Sequence, residues 1–264
     1  MQINFYQVDS FTDKPYYGNP AGVVVLDAQA DESWMRKIAE EMNLSETAFV
    51  YPISANNYNL RWFTPVAEVD LCGHATLAAA HILWEKEFVK KSEQIRFQTK
   101  SGELICCNND GLIQMDFPKE EASEISVPEE LLKGVGVEVL YTGKNRMDYI
   151  VEVESEKIVK NLTPDINMLK KAGMRGVIVT SRSDNSEFDF VSRFFAPAVG
   201  IEEDPVTGSA HCCLAPYWAK KLNKNQFKAL QLSKRQGVLY LELNNDRVKI
   251  SGNAVTVFEG RILY

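Results

Sequence analysis

The second half of this chain repeats the first. Arg61-Trp-Phe-Thr-Pro65 returns as Arg193-Phe-Phe-Ala-Pro197, 132 residues on. Gly73-His-Ala75 returns as Gly208-Ser-Ala210 and Gly102 as Gly237, both offset by 135, and Asn108-Asn-Asp110 returns as Asn244-Asn-Asp246, offset by 136. The offset grows by three between Pro65 and Gly73, where the second copy spans 11 residues and the first spans 8. Matches in one order, offset by about half of 264 residues, read as a duplicated domain; unrelated strands sharing common turns are the alternative. Two domains of about 130 residues suit this length.

The element pattern agrees. Gln2–Val8 and Ala21–Leu26 read as strands, rich in β-branched and aromatic residues. Asp31–Met42 reads as a helix, with Asp31 as its cap and Trp34, Met35, Ile38 and Met42 on one face. Ala48–Tyr51 and Tyr58–Phe63 read as strands. His74–Lys86 reads as an Ala-rich helix with almost no charge before Glu85, so it should be buried on all sides. Ile95–Gln98, Glu103–Cys107 and Leu112–Phe117 follow as strands, with Asn109-Asp-Gly111 as a hairpin turn. In the second half, Thr163–Lys171 reads as a helix with Pro164 in its first turn and Gly173 beyond its end. Val177–Thr180 and Phe188–Phe194 read as strands. Ser209–Leu222 is a second apolar helix, which Pro216 should bend. Leu230–Leu232, Val238–Leu243, Val248–Ile250 and Ala254–Leu263 close the chain as strands. The pattern predicts an α+β protein of two pseudo-symmetric domains, each a barrel-like sheet wrapped around a central helix. Their expected extents are residues 1–118 with the C-terminal strand 254–264, and residues 128–253. The polar segment Lys119–Val127 is the expected linker.

Composition narrows the function. The formal charge is −7 with no basic stripe, which argues against a nucleic-acid partner. The longest uncharged apolar run, Leu71–Trp84, has 14 residues and two histidines, short of the about 20 that span a bilayer. Met1–Asp9 lacks a basic start and an apolar core, so no signal peptide is expected. Five cysteines without a scaffold spacing suit a reduced, cytoplasmic protein. Cys72-Gly-His74 and His211-Cys212-Cys213 have metal-binding residue types, but the four ligands of a structural zinc site are missing, and no metal is assigned.

Both buried helices begin alike. Glu68-Val-Asp70-Leu-Cys72-Gly73-His74-Ala75 and Glu202-Glu-Asp204-Pro-Val-Thr207-Gly208-Ser209-Ala210 each carry acids, then a Gly, then a small or polar residue. Helix starts expose unpaired N–H groups and partial positive charge, and Gly admits a ligand close to the backbone. Two such starts facing each other across a domain cleft would hold a carboxylate; tight turns alone would also explain both glycines. Glu46 is in phase with Leu44, Ala48 and Val50 on an extended segment. A carboxylate on that apolar face suits proton transfer, although from these residues alone a solvated residue at a strand start explains it better. Asp204 is a candidate acceptor for a protonated group or a turn cap. His74 is a candidate proton donor or simply a helix-start residue, and His81, two turns along, reads as a satisfied core histidine.

At these residues the chain resembles the PhzF family of phenazine-biosynthesis-like isomerases. The resemblance rests on Asp9-Ser-Phe-Thr12 with Gly18-Asn-Pro-Ala-Gly22, Asn43-Leu-Ser-Glu46-Thr-Ala-Phe49, Arg61-x-Phe-x-Pro65, Cys72-Gly-His-Ala-Thr76 and Glu203-Asp-Pro-Val-Thr-Gly-Ser-Ala-His211. It covers nearly the whole chain. It implies the diaminopimelate epimerase-like fold, a site between the domains, no cofactor and a homodimer. In the phenazine enzyme a single glutamate moves a proton between ring carbons of a dihydro-hydroxyanthranilate. That glutamate falls on Glu46, and its supporting histidine, aspartate and serine fall on His74, Asp204 and Ser209. Gly73 and Gly208 fall where backbone amides hold the substrate carboxylate, and the block containing Asn19 should border the cleft. Related epimerases and racemases use two cysteines, one at each helix start. Here Cys72 occupies the first position and Thr207 the second, which disfavours a two-thiol mechanism.

The expectation is a cofactor-independent isomerase of a small carboxylated substrate. Glu46, His74 and Asp204 form its catalytic set; Gly73, Gly208, Ser209 and Asn19 form its binding set. The rivals are an epimerase or racemase using the single thiol of Cys72, and a carboxylate-binding protein without activity.

Overall fold

The computed structural model describes residues 2–263. The chain divides into two compact units, residues 1–116 with 251–264, and residues 117–250. The segment expected as a linker belongs to the second unit. Ser123–Glu124 pairs with Tyr141–Lys144, and the Lys119 and Glu120 N–H groups donate to the carbonyls of Asp246 and Cys212. Polar composition suggested a free connection, but its backbone groups find partners within the unit.

In the first unit, Gln2–Ser10 runs antiparallel to Asn19–Val25, which runs parallel to Glu46–Ser54. Glu46–Ser54 is antiparallel to Asn57–Phe63, which is parallel to Ile95–Thr99, itself antiparallel to Gly102–Asn109. A parallel step needs a crossover, and each parallel step here encloses a helix: Glu32–Met42 in the first, Gly73–Glu85 in the second. The last strand, Ala254–Leu263, returns to pair with the first, Gln2 opposite Leu263 and Ser10 opposite Ala254.

The second unit repeats this alternation. Tyr141–Lys144 is antiparallel to Asp148–Glu152, which is parallel to Gly176–Arg182. Gly176–Arg182 is antiparallel to Phe190–Phe195, which is parallel to Gln226–Gln231, itself antiparallel to Gly237–Asn244. Its parallel steps enclose Glu156–Asn161 with Ile166–Lys171, and then Gly208–Leu222.

The helices form where the side chains allow. Asp31 caps Glu32–Met42 by accepting from the N–H groups of Ser33 and Trp34. That helix sends Met35 and Ala39 into a cluster with Phe5, Val24, Phe49 and Phe63. Phe63 meets Phe49 edge-on at 5.6 Å. Gly73–Glu85 buries ten of its 13 residues, as its lack of charge predicts. In the second unit, Phe190 stacks on Trp218 of the buried helix at 5.5 Å.

Three differences from the sequence reading concern the second unit. The helix expected over Thr163–Lys171 begins at Ile166, because Asp165 accepts from the Met168 N–H and caps it there, leaving Pro164 outside. Glu129–Val135 and Glu156–Asn161 are additional helices of seven and six residues, too short to display a helical period. Tyr141–Lys144 and Asp148–Glu152 are strands the pattern did not mark. Asp148–Glu152 is buried throughout, so it lacks the alternation of a half-exposed strand.

Candidate active site

Glu46 opens its strand directly after a helix whose end is set by Asn43 in the left-handed region, φ 49°. The first five residues of this strand are buried on both faces. Phe49 packs against the helix Glu32–Met42, so Glu46, Ala48 and Val50 turn to the opposite face. His74, second residue of the buried helix, meets Glu46 there: His74 Nε2 lies 3.0 Å from Glu46 Oε2, with side-chain exposures of 7% and 12%.

Asn19 and Cys72 complete the cluster. The Asn19 Nδ2 lies 3.2 Å from His74 Nδ1, and Cys72 Sγ lies 3.5 Å from Nδ1 and 4.0 Å from Nε2. Gly18 places Asn19: its φ is +66°, and a Cβ there would sit 2.1 Å from the Ser10 carbonyl oxygen. The Ser10 hydroxyl donates to the His74 carbonyl at 2.8 Å, tying strand to helix start. Cys72 is the helix N-cap and makes no side-chain cap bond. One ligating atom each from Glu46, Cys72 and His74 lie within 4.8 Å of one another.

The electrostatics divide these groups. Burial opposes charge on His74, but its contacts with Cys72 and Glu46 outweigh it and hold the imidazole pKa well above its usual value. Burial, reinforced by the Glu46 carboxylate, pushes the Cys72 thiol up to about 11. At neutral pH Cys72 is therefore a thiol.

The second unit builds a different helix start. Thr207 is the N-cap in an extended conformation, like Cys72 in its own helix. The Thr207 hydroxyl donates to Asp204 Oδ2 at 2.6 Å. Gln231 braces the turn, accepting from the Thr207 N–H at 2.9 Å and donating to the Asp204 carbonyl at 2.8 Å. Ser209 accepts from Arg175 Nη2 at 3.0 Å. Arg175 is in turn held at two points by the fully buried Asp148, at 2.9 and 2.5 Å, and lies over Phe194. Arg175, Asp148 and Gln231 escaped the sequence reading. The duplicated blocks do not contain them, and 27 residues separate Arg175 from Asp148.

Thus each unit gathers its own sequence-marked residues: Glu46, His74 and Asn19 in one, Asp204 and Ser209 in the other. Of the remaining histidines, His81 is half-buried beside Thr256 Oγ1 at 3.1 Å. His211 is fully buried with Nδ1 2.8 Å from the Thr207 carbonyl, its pKa pulled down to about 4 by burial. Among the described residues no helix is long and apolar enough to cross a membrane.

The chain matches a family model described as phenazine biosynthesis-like protein over residues 8–260. It is 52% identical to an uncharacterized isomerase of Halalkalibacterium halodurans, covering 100% of this chain and 99% of that one. It superposes on a crystal structure of a PhzF-family phenazine biosynthesis protein from Enterococcus faecalis with a TM-score of 0.96, at 40% identity and full coverage of both chains. A probable proline racemase from Agrobacterium radiobacter K84 shares the fold at 10% identity, with a TM-score of 0.70 over 99% of this chain and 93% of that one. The α+β pattern expected from the duplication and the epimerase-like fold implied by the resemblance are the ones observed.

Proposed function

This chain belongs to the phenazine biosynthesis-like PhzF family of isomerases, and on that premise we propose that it isomerises a small carboxylated substrate by moving one proton on Glu46. The observation that carries this reading is the buried Glu46–His74 pair at 3.0 Å. A carboxylate set against an imidazole in a buried surrounding is a base that water does not level. Glu46 removes a proton from a carbon made acidic by the substrate's electron-withdrawing group, keeps it, and returns it to a second carbon. The double bond shifts, one proton leaves and one arrives, and no electron acceptor is needed. His74 stabilises the Glu46 carboxylate before abstraction and after return. Asn19 lies against the other ring nitrogen of His74.

The binding roles follow the same reading. Gly73 and Gly208 offer backbone N–H groups to the substrate carboxylate. Ser209 offers a hydroxyl proton, which its acceptance from Arg175 leaves free to donate. Asp204, held by Thr207 and braced by Gln231, positions the polar group of the substrate.

The thiol alternative is disfavoured by its protonation. With a pKa of about 11, Cys72 supplies roughly one thiolate in ten thousand molecules at pH 7. The test is proton NMR of substrate exchange in D2O over a panel of cyclic and acyclic amino and hydroxy acids, dihydro-hydroxyanthranilate included. Deuterium uptake or isomer formation that falls about 100-fold or more in Glu46→Gln supports the reading. Exchange that persists in Glu46→Gln and vanishes in Cys72→Ala overturns it in favour of the thiol. Saturable ligand shifts without exchange across the panel would leave a binding protein.

A further inference from the structure

We propose that Glu46, Cys72 and His74 form a three-ligand site for a thiophilic divalent cation, zinc above all, which competes with the proton chemistry of the same residues. The inhibitory half rests on the proposed function; the binding half does not. Sequence spacing concealed the site, because Cys72-Gly-His74 supplies two ligands and the third arrives from Glu46, 26 residues upstream, through the strand pairing.

The donor set is of the right kind. Thiolate, imidazole and carboxylate are the three zinc-binding side-chain types, and three protein ligands with one open position characterise exchangeable sites rather than structural ones. The spacing also fits. With ordinary zinc bond lengths, a tetrahedral ion separates its ligand atoms by roughly 3.3–3.6 Å. Here His74 Nε2 is 3.0 Å from Glu46 Oε2 and 4.0 Å from Cys72 Sγ, and the three ligating atoms lie within 4.8 Å of one another. Closing the first two pairs onto one ion requires shifts of roughly half an ångström.

Charge and support favour the ion as well. A thiolate and a carboxylate together neutralise a dication, so the buried cluster gains no net charge when the ion enters and the thiol and Nε2 protons leave to solvent. Asn19 stands against the far ring nitrogen of His74; with Nε2 on the ion that nitrogen keeps its proton, so the Asn19 amide must turn its oxygen towards it to orient the ring. The Cys72 side chain makes no helix-cap bond, so recruiting it disrupts no cap. Glu46 keeps 12% of its side chain open to water, which gives the ion a way in. Bound there, the metal occupies the lone pairs that Glu46 needs for proton transfer.

The experiment adds cobalt chloride to the purified full chain and records absorption, because cobalt–thiolate bonds give a charge-transfer band; zinc chloride is then used to displace it. The expected result is one equivalent of cobalt with a thiolate band that zinc abolishes. In Cys72→Ala the band should vanish and zinc affinity should fall more than about 100-fold, beyond the roughly 10–100-fold cost of losing a group that only orients a ligand. Cys72→Ser should behave the same way, which guards against a folding defect in one variant. A missing band, or a band that survives in both variants because another cysteine carries it, overturns the proposal. Where the D2O assay identifies a substrate, zinc should suppress exchange by the wild type, and exchange by Cys72→Ala, measured against its own metal-free rate, should resist zinc. Equal zinc inhibition of both proteins overturns the inhibitory half. The cobalt band needs no substrate, so failure of the proposed isomerase activity and failure of the metal site remain distinguishable.

Discussion

His74 Nε2 and Glu46 Oε2 stand 3.0 Å apart in a buried setting, and this pair sets the order in which the three histidines titrate. Burial opposes the charge on His74, yet its contacts with Cys72 and Glu46 hold it well above its usual value. His81 is lowered chiefly by burial, and His211 is lowered by burial to about 4. On acidification His74 should take its proton first and His211 last, as read by NMR of labelled imidazoles. Glu46→Gln should move His74 downward and leave His211 in place. A His74 titration unchanged in Glu46→Gln would show that the pair is not what holds it.

Acid should destabilise the second unit through His211. Its folded pKa lies below its unfolded value of about 6.5, so the folded state binds fewer protons between the two. Stability is therefore lost as pH falls from about 6.5 towards 4. His211→Asn should flatten that part of the urea-midpoint profile, and an equally steep profile in the variant would contradict the assignment.

The Arg61–Glu68 pair gives a lower window. Arg61 donates to Glu68 at 2.7 and 2.8 Å, and Lys100 adds a third contact. Hydrogen bonding from Arg61 lowers Glu68 to about 2. A depressed carboxylate stabilises above its unfolded pKa of about 4.3 and loses that contribution as pH falls through its folded value. Glu68→Gln should therefore unfold more easily than wild type at pH 7, and the gap should narrow towards pH 2. A gap independent of pH would remove the ion pair as its cause.

Arg175→Met leaves the buried Asp148 carboxylate without its guanidinium. Losing one partner of a fully buried pair costs about 3–5 kcal/mol; with a third of the Arg175 side chain exposed, roughly 2–3 kcal/mol is expected. Adding Asp148→Asn should recover part of it in a double-mutant cycle. Arg175→Lys should keep the charge, lose the two-point grip, and raise the substrate KM more than it lowers kcat if Ser209 binds the carboxylate. A fall in kcat alone would count against that role.

Cys72 should resist alkylation in the native protein near neutral pH, since burial pushes its thiol to about 11. The half-buried Cys107 should label ahead of it. Peptide mass mapping after brief iodoacetamide treatment decides this, and preferential labelling of Cys72 would restore the thiol mechanism.

The sequence showed most where chemistry and period coincide. Internal repeats exposed the duplication because Gly73 and Gly208 sit at equivalent helix starts, and Arg61 and Arg193 grip Glu68 and Glu203 in the same two-point manner. Glu46 was legible from its phase with Ala48 and Val50. Its partnership with His74 was not, because it depends on a crossover that no local pattern records. Arg175, one residue ahead of Gly176–Arg182, meets Asp148 through the parallel pairing of that strand with Asp148–Glu152, and Gln231 reaches Thr207 from 24 residues away. Such long-range polar contacts leave no periodic signal. The helices of six and seven residues were missed for the opposite reason: they offer caps such as Ser155 but too few turns to repeat anything.

The pairing of the first strand with the last has a consequence for synthesis. Gln2–Ser10 finds Ala254–Leu263 only after almost the whole chain has left the ribosome. The second unit, unbroken from 117 to 250, is complete in sequence before that strand emerges. The unit carrying Glu46 and His74 therefore waits, open along one edge, while its later-made neighbour can already fold. Nascent-chain folding should thus run opposite to the order of translation, with the unit of Glu46 and His74 closing last.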